Sequence, residues 1–449
     1  MRRVTTKVTP IAVGGTYRTV GGMNTPASPH DSDTDTPTTG SEKQGCPVSS
    51  MRDWARDFDH ADPRYNEHAP EIWAALRGSG CPVAHTEAYG GTWLPVTHEA
   101  VHQIAYDTEH FSSVGVVVNN IKPEWENMGL GGAAPITSDP PVHHNARRIL
   151  LPAFAPKKIA ELEGDVRNLC IGLLDRIEKG MAERGERTFD AAREYAQHIP
   201  VYVIATMLGM PIEDSDLFRE FVHIILERVD APVEERMEIV GQVAQYVRGV
   251  VEDHRVNHRD DLVGHLIETT DEHGQPLTEE HIVGTVILTL IAGIDTTRSG
   301  IGSTLWHFGK TPSDRAKLHE NPALMPLAIE EMLRAYAPVT MARVVKEDVE
   351  VAGVQMKRGD WTLLPFPAAN RDPEQFERAD EIIIDREENR HAAFGLGIHR
   401  CAGSNLARLE MRVALEEFLA RFPAYEVSGG VKWSVGQVRG PRELPVTVS

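Results

Sequence analysis

The chain has 449 residues, of which 41% are apolar, 25% charged and 6% aromatic, ordinary proportions for a globular protein. Its formal charge of −20, from 46 basic and 66 acidic side chains, argues against sequence-independent binding to nucleic acid. The cysteines Cys46, Cys81, Cys170 and Cys401 are widely scattered, giving neither a disulfide framework nor a zinc spacing, which fits a reducing cytoplasm.

Residues 1–45 are rich in Thr, Ser, Pro, Gly and Asp. Such a segment buries too little apolar surface to offset its ordering entropy, so a disordered tail is expected, with Met23 as a second possible start. Met1-Arg-Arg is followed by Val-Thr-Thr-Lys rather than an apolar stretch, so no signal peptide is expected. No comparable linker follows, which makes 46–449 one large domain. Apolar periodicity predicts helices over 69–78, 97–106, 143–150, 156–183, 190–208, 213–228, 234–256, 279–309, 324–336 and 404–421. Strand-like pieces are short, at 92–96, 349–351, 361–364 and 445–448. The expected fold class is mainly α with a small β region. The longest apolar run, 282–294, falls short of the roughly 20 residues a membrane span needs, so it reads as a core helix and no membrane partner is expected.

Four segments carry chemistry. In Asp139-Pro-Pro-Val-His143-His-Asn-Ala-Arg147-Arg148, the prolines end an extended stretch and open a helix, placing His143 and Arg147 at i,i+4 on one face. The long helix is opened by Thr278 with Glu279 and Glu280 behind it, and Ala292-Gly293-Ile294-Asp295-Thr296-Thr297 stands in its middle. A glycine and an acid–alcohol pair in an apolar helix break the local rule. Gly293 offers room for a small gas molecule beside the helix, and Asp295 with Thr296 offers a hydrogen-bonded proton relay. Glu331 and Arg334 share a face of a largely apolar helix, as a buried clamp would.

Finally, Phe394-Gly-Leu-Gly-Ile-His-Arg-Cys401-Ala-Gly403 puts a sulfur between a glycine-rich loop and a helical pattern through Leu406, Leu409 and Val413. A helix start favours thiolate over thiol. Gly395, Gly397 and Gly403 let backbone pass close to a flat ligand. That arrangement suits an axial thiolate on haem iron. Arg343 and His399 add cations that, with His143 and Arg147, match the two carboxylates of a haem edge.

Together these segments resemble the cytochrome P450 family. The pattern Phe-x-x-Gly-x-His-x-Cys-x-Gly-x-x-Leu-Ala is complete at Phe394, Gly397, His399, Cys401, Gly403, Leu406 and Ala407. Asp-Pro-Pro, Ala-Gly-x-Asp-Thr-Thr, Glu-x-x-Arg and Ala369-Asn-Arg-Asp-Pro373 follow in the family's order. One position departs: Glu381 stands where spacing puts the arginine that completes the Glu-Arg clamp, leaving Arg378 or Arg386 to substitute.

The resemblance, which covers residues 50–449, implies one domain of the P450 type with haem b between the long central helix and the cysteine-loop helix. Cys401 would be the iron ligand; His143, Arg147, Arg343 and His399 would hold the propionates; Phe394, Gly395 and Gly403 would flank the cofactor. Asp295 and Thr296 would deliver protons to dioxygen, and Glu331 with Arg334 would lock the core. The implied activity is O2-dependent hydroxylation of an apolar small molecule by a monomeric cytoplasmic enzyme. Because no reductase domain follows the cysteine segment, electrons are expected from a separate ferredoxin and its reductase. Seven cations (Arg147, Arg148, Lys157, Lys158, Arg400, Arg408 and Arg412) form a candidate docking patch for it. The rival readings are a peroxide-driven oxygenase of the same fold, whose members usually lack the acid–alcohol pair, and a non-catalytic haem carrier. Pocket walls are expected from 116–136, Leu288, Thr289, Ala292, Val339, Thr340 and Val435.

Overall fold

The computed structural model describes residues 53–118, 133–228 and 232–449; the expected tail over 1–45 and most of the 116–136 wall lie outside them. The helices, in chain order, are α1 (Pro63–Gly78), α2 (His98–Tyr106), α3 (Val142–Leu150), α4 (Pro156–Glu161), α5 (Glu163–Arg184), α6 (His198–Met207) and α7 (Ser215–Leu226). They continue with α8 (Val233–Val256), α9 (Leu262–Glu268), α10 (Glu279–Lys310), α11 (Pro312–Glu320), α12 (Met325–Ala335), α13 (Phe366–Ala369) and α14 (Ser404–Arg421). The strands are short: β1 (Val83–Thr86), β2 (Thr92–Pro95), β3 (Phe111–Ser112), β4 (Thr188–Asp190), β5 (Thr340–Val345) and β6 (Val349–Val351). The remainder are β7 (Val354–Met356), β8 (Trp361–Pro365), β9 (Tyr425–Val427), β10 (Lys432–Trp433), β11 (Pro441–Glu443) and β12 (Pro445–Val448).

Local chemistry sets the helix ends. Asp62 caps α1 by accepting the Arg64 N–H, and Pro63 occupies its first turn, so the helix starts six residues before its predicted position; a break at His68 precedes Pro70. Thr278 caps α10 by accepting the His281 N–H at 3.2 Å, with Glu279 and Glu280 at the positive end of the dipole. The predicted helix over 190–208 is a π-turn, Ala191–Ala196, followed by α6, and that over 156–183 breaks at Leu162.

β1, β2, β8, β5 and β3 form a five-stranded sheet in that order, antiparallel except for the β2–β8 pair. β4, β12 and β9 form an antiparallel three-stranded sheet, while β6–β7 and β10–β11 are hairpins. The main core lies where α10 packs against α6, α8 and α14. By length and composition α10 could cross a membrane, but most of it is buried in this core.

Small residues govern how closely α10 is approached. A Cβ on Gly293 would stand 2.4 Å from Ile204 Cδ1, so this glycine makes room for α6. The sequence reading gave it room for a gas molecule, and the structure corrects that. A Cβ on Gly440 would stand 2.3 Å from Ser299 Cβ; the missing side chain lets the chain entering β11 lie directly on α10.

Candidate active site

The loop before α14 is folded back on itself: the Cys401 N–H donates to the Phe394 carbonyl at 2.7 Å. Gly395 (φ 72°) and Gly397 (φ 65°) take left-handed conformations, and a Cβ on Gly397 would collide with the Ala105 carbonyl at 2.3 Å. The glycines therefore serve the turn and its seat on α2 as much as any approach to a ligand. The Arg408 guanidinium lies 4.4 Å from the centre of the Phe394 ring, fixing the loop to the first turns of α14.

Cys401 is exposed, but protein closes round its sulfur on the other sides, and that burial pushes the thiol up. The Gly403 N–H and the cations Arg147, Arg408 and Arg400 pull the other way. A coordinated metal ion would tip this balance to the thiolate, since it deprotonates a thiol ligand outright.

Four nitrogen-bearing side chains converge beside this loop. His143 of α3 is buried, and neither ring nitrogen makes a hydrogen bond. Its ring centre lies 4.3 Å from that of His399, whose Nε2 meets Ser113 Oγ at 2.8 Å. Arg343 of β5 is buried and donates to the Ala342 carbonyl at 2.7 Å. Arg147 donates to the Arg400 carbonyl. Burial and the neighbouring positive charges hold His143 down at about 4 and His399 at about 2, and burial lowers Arg343 to about 10. Asp139 opposes the shifts at His143 and Arg343, but it is already engaged by the Ser112 hydroxyl (2.6 Å) and the Ser113 N–H (2.8 Å). A buried imidazole left without a partner, as at His143, is costly unless a polar group meets it. The two carboxylates of a haem fit.

On α10, Ala292 is exposed and Thr296 half-buried, so an otherwise buried helix opens one face at its midpoint. The Thr296 hydroxyl donates to the Ala292 carbonyl at 2.8 Å. Asp295 points elsewhere. Its Oδ2 accepts from Arg442 Nη2 at 2.6 Å, and burial raises its carboxyl despite that arginine. The structure does not join the two relay side chains by a hydrogen bond.

Glu331 and Arg334 are fully buried and bidentate, with both bonds 2.8 Å. Arg334 also donates to the carbonyls of Asn370, Ala379 and Glu381. The third member of the clamp is Arg386, whose Nε reaches Glu331 Oε2 at 3.0 Å; Arg378 pairs with Glu381 at the surface.

Among the expected pocket residues, Leu288 and Thr289 are buried on α10. Val339 bridges to Val438, and the Thr340 N–H donates to the Gln437 carbonyl at 3.0 Å. Gln437 Nε2 in turn donates to the Val116 carbonyl at 2.9 Å, and Val435 is half-buried in the same turn. Sequence reasoning missed Ser113, Asn389, Glu227 and Arg442, because each meets its partner across a long stretch of chain and none belongs to a short motif.

Comparison with known proteins bears on the family and the fold. The family model described as "Cytochrome P450" matches residues 89–433. Nocardicin C N-oxygenase of Nocardia uniformis subsp. tsuyamanensis is 32% identical, the match covering 87% of this chain and 98% of that protein. Vitamin D(3) 25-hydroxylase of Pseudonocardia autotrophica is 35% identical over 70% of this chain and 77% of its own. The crystal structure of CYP109E1 from Bacillus megaterium, in complex with testosterone, superposes with a TM-score of 0.78 at 29% identity, covering 86% of this chain and 99% of that one. With a family match over most of its length and the fold to go with it, the chain belongs to the cytochrome P450 family, monooxygenases whose cofactor is haem b.

Proposed function

We propose that this P450 hydroxylates an apolar small organic molecule, using electrons from a separate ferredoxin and ferredoxin reductase, as a monomer in the cytoplasm. Cys401 would ligate the iron, with Phe394, Gly395 and Gly403 around it, while His143, Arg147, Arg343 and His399 would hold the two propionates. The observation that carries this assignment is the buried, unbonded His143 imidazole beside His399 and Arg343. The haem, when bound, supplies the activation of O2 and the transfer of one oxygen atom.

The protein's own part is positioning and proton supply. Leu288, Ala292, Val339 and Val435 would present an apolar wall, with Thr289 and Thr340 as its hydroxyls; that of Thr289 already donates to the Thr285 carbonyl. No charged side chain stands among these six, so the substrate would be held by apolar contact and shape. The names of two relatives, a vitamin D(3) hydroxylase and a testosterone complex, agree with an apolar substrate. Thr296 would offer its hydroxyl at the open face of α10 by leaving the Ala292 carbonyl, and Asp295 would restore the proton it gives up.

The electron donor would dock on the cysteine side. Of the seven cations in the expected patch, Arg408 is paired with Glu330, and Arg412 with Glu163 and Glu416, so these two contribute little free charge. His144, Arg147, Arg148, Leu151 and Pro152 line an open cleft of about 480 Å³, where two arginines flank the exposed Leu151. Basic side chains around an apolar patch suit an acidic ferredoxin.

Two experiments test the reading. A spectral-shift screen of the purified holoprotein against steroids, terpenes, fatty acids and aromatic acids should give shifts with apolar compounds; binding confined to charged compounds would overturn the apolar assignment. Thr296→Ala should divert reducing equivalents into peroxide, and unchanged coupling would remove Thr296 from the relay.

A further inference from the structure

Buried charge joins α7, α10 and β11. The side chains of Asp295 and Glu227 are only 3% and 7% exposed, and both are bound by Arg442, itself 12% exposed. Arg442 Nη2 donates to Asp295 Oδ2 at 2.6 Å, Nε donates to Glu227 Oε1 at 2.6 Å, and Nη1 donates to Ser299 Oγ at 3.0 Å. Nε and Nη2 form one edge of the planar guanidinium, the edge that Arg334 uses to hold both oxygens of Glu331. On Arg442 that same edge carries one oxygen from each of two different acids. The two carboxyl groups therefore sit side by side in a site shielded from water. Carboxylates so placed favour a shared proton over two full charges.

The surroundings supply a route outward. His223, on the last turn of α7, has its Nδ1 3.5 Å from Glu227 Oε1 and is 45% exposed. From Asp295 to His223 the contacts thus run from the core to solvent. Arg298, 3.7 Å from Asp295 Oδ1, is the other cation against the pair, and Arg219 and Glu220 of α7 act on the cluster from further away. Gly440 allows the arrangement, since any side chain there would push the start of β11 off Ser299.

We infer that Asp295 and Glu227 form a proton-sharing carboxyl pair positioned by Arg442, with His223 as its solvent-side donor. This rests on the proposed role of Asp295 as the acid behind Thr296. His223 passes the proton on Nδ1 to Glu227 Oε1 and becomes neutral. Once Asp295 has given its own proton to Thr296, Glu227 passes this one to the Asp295 carboxylate and returns to carboxylate, and His223 is reprotonated from water. No electrons move, and Arg442 stays protonated throughout as the positioning residue. Burial raises the Asp295 carboxyl, while His223 and Arg442 lower that of Glu227 against its own burial, which makes Asp295 the more basic of the two.

Infrared spectroscopy of the holoprotein at neutral pH tests the pair directly. Glu410, buried on α14 without a hydrogen-bond partner, would carry a band of its own, so the spectra are read in a Glu410→Gln background. There the protonated-carboxyl band should be present and lost on adding either Asp295→Asn or Glu227→Gln, because removing one acid leaves the other ionised against Arg442. A band that survives Glu227→Gln, or is missing from that background, overturns the pair. Arg442→Lys keeps the charge without the fork and should shift the band, whereas a purely structural role would leave it in place. For the route, peroxide released per O2 consumed is measured without added substrate, with a surrogate ferredoxin and reductase. Glu227→Gln and Asp295→Asn should each raise the peroxide share several-fold, and His223→Gln should move the pH profile of that share. If Asp295→Asn raises the share and Glu227→Gln does not, the route is wrong and the Asp295 role stands. If Asp295→Asn behaves as the parent, the Asp295 role itself fails.

Discussion

Replacing Glu331 with Leu removes the acceptor at the centre of the clamp. Its two oxygens take two N–H groups of Arg334 at 2.8 Å, the Arg386 Nε at 3.0 Å, the Asn389 amide at 3.0 Å and the Ile383 N–H at 2.8 Å. Arg334 keeps its three carbonyl partners, so it stays bound, but its charge and that of Arg386 lose their counter-ion. Removing one partner of a buried pair costs about 3–5 kcal/mol, and the orphaned Ile383 N–H adds about 1–3 kcal/mol. Against a total stability of about 5–15 kcal/mol, the variant should retain little folded, haem-loaded protein. Arg386→Met leaves the Glu331–Arg334 pair intact and should cost about 1–3 kcal/mol. Arg378→Ala touches only a surface pair and should leave stability unchanged. Urea unfolding of the three variants, read as midpoint shifts at constant slope, gives the ranking. A Glu331→Leu protein within about 1 kcal/mol of the parent would refute the clamp, as would equal costs for Arg378→Ala and Arg386→Met.

Two further outcomes follow from buried groups. Glu410 of α14 is fully buried with neither oxygen hydrogen-bonded, and burial pushes its carboxyl well above the usual range. The folded protein therefore holds a proton that the unfolded chain loses above about pH 4.3, so Glu410's contribution to stability falls as pH rises toward the folded pKa. Glu410→Gln should be more stable than the parent by a margin that widens between about pH 5 and 8, as checked by urea unfolding; a margin constant with pH would contradict this. Gly440→Val would force β11 away from Ser299 and part Arg442 from Asp295, costing about 1–3 kcal/mol or more in the same assay and abolishing the infrared band of the carboxyl pair. Parent-like stability would show that the strand can shift at no cost.

What could be read from the sequence was local in character. The cap at Thr278, the Pro-opened α3 and the helix behind Cys401 each depend on residues within a few positions of one another, and each stands within a residue or two of its expected place. β5 was not predicted, because its residues face protein almost throughout and so lack alternation. The third clamp residue, whether Arg378 or Arg386, could not be chosen by spacing, since the choice turns on which guanidinium the chain after Asp380 folds inward. Arg442 was invisible for the same reason: it lies 147 positions from Asp295 and meets it only because Gly440 and Gly302 let β11 settle on α10. Gly293 misled for the opposite reason, since a glycine in an apolar helix signals close approach without saying to what.

The account depends most on Cys401 as the thiolate that holds the haem. The ferrous carbonyl spectrum of purified Cys401→Ser measures this directly. It should lose the thiolate-type absorption while haem added to the protein remains detectable by its other bands. A Cys401→Ser protein that keeps the thiolate-type spectrum would contradict the assignment.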